Sequence, residues 1–149
     1  MGLAGVVAVV VLSAGQPSQP KKVADCGKYR IDRVVTINSN AFNTEVASSA
    51  AEFEKGLAGR PCILPNQAML FAFKQPGQYP FWMRGMKFPI DMLWINSNDQ
   101  VTAARANIQP STYPQQFANA VDHPAQYVLE IKANRAIQLK VGLGTPVSF

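Results

Sequence analysis

Between Phe81 and Asn96 the chain carries two runs of large apolar residues, Phe81-Trp82-Met83 and Ile90 to Ile95, hinged at Phe88-Pro89. Side chains this bulky belong in the middle of a core. The proline forces an extended or bent link between the runs, because it pushes the residue before it toward extended backbone. Both runs are therefore expected as strands of a central sheet. Alternation along the second places Ile90, Met92 and Trp94 on one face and Asp91, Leu93 and Ile95 on the other. Both faces are apolar, as in a strand covered on both sides. Asp91 is the exception. An unpaired buried carboxylate costs several kcal/mol, so it requires a cationic or multi-donor partner, for which Arg60, Arg84 and Lys87 are the candidates.

The rest of the chain supplies the neighbours of these strands. Val34 to Asn38 is β-branched and alternating, and with the turn signals Ser39 to Asn43 and the run Thr44 to Ala47 it reads as a hairpin. Ser49-Ala50-Ala51-Glu52 has the capping-box form, and Phe53 and Leu57 would give the helix that follows its buried face. Met69 to Phe73, bounded by prolines, reads as a strand buried on both faces. Val101 to Ile108 and Tyr127 to Lys132 are further strands. Asn134 is expected to cap a short helix reaching Lys140, and Thr145 to Phe149 to close the sheet. The expected fold class is α+β: a compact mixed, mainly antiparallel β-sheet or partly closed barrel of about seven strands with two short helices.

A chain of 149 residues buries one core. Residues 33–149 form the expected single globular domain, preceded by an apolar signal-like or anchor segment at 1–15 and a Pro-rich basic linker at 16–32. The apolar segment is shorter than a bilayer core requires, and Lys21 and Lys22 follow it rather than precede it, the reverse of a standard secretory signal. Membrane anchoring through residues 2–15 and an exported, extracytoplasmic location are expectations from it. Cys26 and Cys62 would form a disulfide in an exported domain, and are otherwise two unrelated thiols. The net charge of +5 comes mostly from Lys21, Lys22, Lys28, Arg30 and Arg33. From Val34 onward nine basic side chains face seven acidic ones, with neither a basic helix nor basic residues interleaved with stacking aromatics. Nucleic acid is not an expected partner.

The succession Gly56-Leu57-Ala58-Gly59-Arg60, Met69-Leu70-Phe71, Phe81-Trp82-Met83-Arg84, Phe88-Pro89-Ile90-Asp91 and Tyr127-Val128-Leu129-Glu130 resembles the domain-of-unknown-function family 192 from about Val34 to Phe149. Several spaced motifs in one order make the resemblance specific. It implies a compact β-rich α+β domain found in prokaryotic proteins that often carry an export signal, and it implies no established activity. Many members have glycine where this chain has Asn134.

Polar residues that interrupt apolar strands are the candidates for chemistry. Trp82 and Arg84 share one side of the Phe81 to Arg84 run, and Glu130 lies opposite Tyr127 and Leu129. The functional expectation is that Arg60, Trp82, Arg84, Asp91 and Glu130 converge on a pocket in which arginine grips an anionic or polar ligand and Trp82 forms an apolar wall. The competing expectation is an ion-pair network pinning the Gly56 to Arg60 loop to the sheet. A non-enzymatic, monomeric binding module for a small molecule or a protein is the leading reading. An enzyme using Asp91 and Glu130 as an acid–base pair is the alternative. His123 sits beside Asp122 in a loop, with no serine in a nucleophile turn to complete a triad. Met69, Met83, Met86 and Met92 offer soft Cu(I) ligands, though such residues more often fill core space, and Met86 is the one expected to be exposed. No cofactor and no zinc site is expected.

Overall fold

In the computed structural model, which describes residues 1–2 and 24–149, the chain opens with an antiparallel hairpin. Its strands are β1 (Arg33–Ile37) and β2 (Asn40–Ala47). Asn38 and Ser39 link them with φ of 47° and 63°, the left-handed pair whose twist matches that of the flanking strands. The turn is thus shorter than Ser39 to Asn43. Because both residues accept positive φ, pairing begins at once with Ile37 opposite Asn40. The apolar segment expected at 1–15 lies almost wholly outside the described residues, as does the start of the 16–32 linker. Among the described residues no helix is long and apolar enough to cross a membrane.

Helix α1 (Ala50–Lys55) starts at the expected capping box: Ser49 accepts from the Glu52 amide, and the Glu52 carboxylate returns to the amides of Ser48 and Ser49. It carries the chain across to β3 (Gln67–Gly77), which pairs parallel to β2. The strands β4 (Phe81–Trp82), β5 (Ile90–Ile95), β6 (Val101–Ile108), β7 (Gln116–Phe117) and β8 (Ala125–Lys132) follow, then α2 (Arg135–Gln138) and β9 (Val147–Ser148). Seven strands form one curled sheet in the order β6-β5-β8-β3-β2-β1-β9, antiparallel except at β2–β3. A bridge between Gln100 and Pro146 brings its two edges together. This is the mixed α+β, half-barrel architecture expected from the pattern. The Phe81 to Arg84 strand is the departure: it stops at Trp82 and pairs only with β7, in a separate two-stranded ribbon.

Each face of the sheet carries its own apolar cluster. One gathers Val35, Ile37, Phe42, Leu93, Ile95 and Val147, with α2 against it. The other gathers Met69, Phe71, Met83, Met92, Trp94 and Val128, and is covered by Phe53 from α1, by Leu57 from the turn after it rather than from the helix itself, and by Phe81 and Phe117 from the ribbon. All six residues of β5 are buried, as the double-faced apolar pattern requires. Burying each of its large side chains contributes roughly 1.5–3 kcal/mol.

Candidate functional site

Strand register decides which polar side chains can meet. Glu130 lies on β8 between Met69 of β3 and Met92 of β5, so it shares the face of Met92 and Trp94, beneath α1 and the ribbon. A cavity of about 270 Å³ opens there. Phe53, Phe71, Phe73, Phe81 and Trp82 line it, with Glu130 among them. The rings hold one another edge-on, Phe53 against Phe71 and Phe73, and Phe71 against Phe81, with centroids 4.9–5.7 Å apart.

Gly56 ends α1 with φ 50° and ψ −133°, a backbone state that a side chain would strain. A Cβ there would meet the Phe71 ring at 3.4 Å and Oε2 of Glu130 at 3.7 Å. Glycine therefore keeps the space above the carboxyl clear. Glu130 is 4% exposed, and its Oε2 is buried without a hydrogen-bond partner among the described residues. Burial alone pushes its pKa up to about 8, because a carboxylate deprived of water and of partners is disfavoured relative to the neutral acid. At the rim, Arg84 bonds Glu54 at 2.7 Å and its guanidinium stands 4.9 Å over the Trp82 ring. Trp82 and Arg84 thus stay on one side, as alternation predicts, although the strand itself has ended.

Arg60 is engaged elsewhere on the same face. It forms an ion pair with Glu45 and packs 4.1 Å over the ring of Tyr29. Glu45 stands opposite Met69, so β3 separates it from Glu130. The Tyr29 hydroxyl donates to the Cys62 carbonyl at 2.7 Å, and burial raises its pKa. A disulfide joins Cys26 to Cys62, fixing the lead-in segment beside Arg60. Arg60 thus ties its loop to β2, through a carboxylate outside the expected set. Its Nη1, however, is buried without a partner among the described residues.

Asp91 corrects the expected constellation. It pairs opposite Ile131 while its neighbour Met92 pairs opposite Glu130, so the carboxylates of Asp91 and Glu130 occupy opposite faces of the sheet. Its partners are neither Arg60, Arg84 nor Lys87 but three backbone amides: Asn107 at 2.7 Å, Asn134 at 2.9 Å and Ala136 at 2.7 Å. Asp91 therefore caps α2 from a neighbouring strand, the role expected of Asn134. Asn134 instead takes φ 67° and makes no side-chain cap, and α2 ends at Gln138 rather than Lys140. Asparagine tolerates that left-handed backbone, which glycine also adopts.

Three of the five expected site residues, Trp82, Arg84 and Glu130, thus line one cavity, while Arg60 and Asp91 lie outside it. Asp91 and Glu130 cannot act as one acid–base pair. Met69, Met83 and Met92 are buried in the core, and Met86, half-buried, lines the cavity rather than solvent. Among the described residues no three His, Cys, Asp or Glu side chains are grouped to hold a metal. Glu45 was not among the candidate residues, and Gly56 figured only as part of its loop. The signal for Glu45 was a lone carboxylate within the alternating run Thr44 to Ala47.

The family model for DUF192, an uncharacterized ACR, matches residues 33–149. The chain belongs to the DUF192 family. Two solved structures share its fold. A protein of unknown function from Novosphingobium aromaticivorans is 28% identical, with a TM-score of 0.72 over 78% of this chain and 84% of its own. A Sinorhizobium meliloti protein, provisionally described as a transcription regulator, is 25% identical with a TM-score of 0.71 over 82% of this chain and 97% of its own. No curated protein matches. The DUF192 domain here accordingly carries a family fold without an assigned activity.

Proposed function

We propose that this DUF192 domain is a non-enzymatic module, held outside the cytoplasm, that takes a small ligand into the aromatic cavity above Glu130. One observation carries the reading: Glu130 lines a cavity, and its buried Oε2 has no partner among the described residues. An unsatisfied buried polar group costs about 1–3 kcal/mol, and a ligand that supplies the missing partner recovers that cost on binding. Concave, mostly apolar sites with a few placed polar groups are the usual form of small-molecule pockets. An enzyme reading has less support, since Asp91 is spent on α2 and Glu54, the other cavity carboxylate, is paired with Arg84 at the rim. The Cys26–Cys62 bridge supports an oxidising compartment.

The test is an NMR titration of the domain with a library of monocyclic aromatic fragments. Binding is expected to shift the resonances of Gly56, Leu57 and Trp82 together. A library that moves no such cluster would overturn the proposal.

A further inference from the structure

Resting on that reading, we infer that the ligand presents a primary ammonium group on a short apolar body, the cation seated against Glu130 and the body against the rings. Two features of the cavity select this chemistry. Its walls are aromatic, with Phe53, Phe71, Phe73, Phe81 and Trp82 from three separate elements, and ring faces are electron-rich, so they attract a cation and repel an anion. Among the described residues that line it, the buried polar atom without a partner is a carboxyl oxygen, which an ammonium satisfies directly.

The rim cation Arg84 does not compete for that oxygen, being held by Glu54 and stacked on Trp82. The charged and titratable groups around Glu130 are Glu54 and Lys55 from α1, Arg84, and Tyr29 with Arg60 and Glu45 farther along the same face. The single histidine, His123, does not line the cavity.

Proton balance makes the inference testable. The free carboxyl holds its proton to about pH 8. An ammonium ligand binds the ionised form, so Glu130 loses that proton to solvent on binding. Affinity then rises with pH by up to about tenfold per unit below pH 8. A ligand that only accepts a hydrogen bond from the neutral acid binds with no pH dependence below pH 8 and more weakly above it.

The experiment is calorimetric titration with phenethylamine and with its neutral counterpart 2-phenylethanol at pH 6, 7 and 8, on the wild type and on Glu130→Gln, which keeps the shape of the protonated acid. Tighter binding of the amine, strengthening with pH and reduced at least tenfold in Glu130→Gln, is the expected result. If the alcohol binds as well as the amine, or amine affinity falls or stays flat with pH, the ammonium assignment is overturned while the cavity remains a ligand site. If neither compound binds, the binding reading falls with it.

Discussion

Gly56 lies directly above Glu130: a side chain at position 56 would begin 3.7 Å from the Glu130 Oε2 atom. The end of α1 and the middle of β8, far apart in sequence, thereby share one small volume. Replacing Gly56 with alanine both strains a positive-φ residue and narrows the cavity. Gly56→Ala is predicted to cost on the order of 1–3 kcal/mol in chemical denaturation and to weaken fragment binding. Full stability with unchanged binding would show that the close approach has no role.

Glu130 also makes a prediction for stability against pH. Its folded pKa, about 8, exceeds the ordinary 4.5. Over that window the unfolded chain gives up its proton while the folded one keeps it, so stability falls as pH rises, by at most about 1.4 kcal/mol per unit. Above pH 8 the loss is complete. Glu130→Gln, which does not ionise, is predicted to match the wild type near pH 4 and to exceed it at pH 8.5 in urea melts. Parallel curves for the two proteins would contradict this.

Asp91 is predicted to matter for stability and not for binding. Asp91→Ala leaves the amides of Asn107, Asn134 and Ala136 without their acceptor. The expected loss is on the order of 3–5 kcal/mol, read from denaturant midpoints. The surviving folded fraction should bind fragments normally, since the cavity lies across the sheet. A stable Asp91→Ala domain would mean that α2 does not depend on this cap.

Reducing the Cys26–Cys62 bridge reopens a long loop. The sequence separation of 36 corresponds to about 4 kcal/mol in the chain-entropy account. Melting with and without reductant is predicted to differ accordingly, with Tyr29 and Arg60 reporting the loosened segment. Coincident curves would show that the bridge contributes nothing.

Much of the fold was legible because most strands announce themselves by alternation or by a continuous apolar run, and Ser49 to Glu52 marks its helix start with paired polar groups. The site was legible only in part. Alternation showed that Asp91 and Glu130 each interrupt an apolar face, but the face that each shares depends on the register between β5 and β8, and no local pattern records register. Likewise the requirement for many donors at Asp91 was plain, whereas their identity was not. They are main-chain amides delivered by Asn107 and by the residues after β8, so no side chain advertises them. The early end at Trp82 has a similar cause, since the extent of β4 is set by its two-residue partner β7.

What ties these results together is a buried carboxyl oxygen, Oε2 of Glu130, with no partner among the described residues. Carbon-13 NMR of labelled glutamate side chains, followed from pH 4 to 10, measures it most directly. A Glu130 midpoint near 8 is the predicted result. A midpoint in the ordinary range near 4.5 would show that the carboxyl already has solvent or a cation to answer it, and would contradict the account.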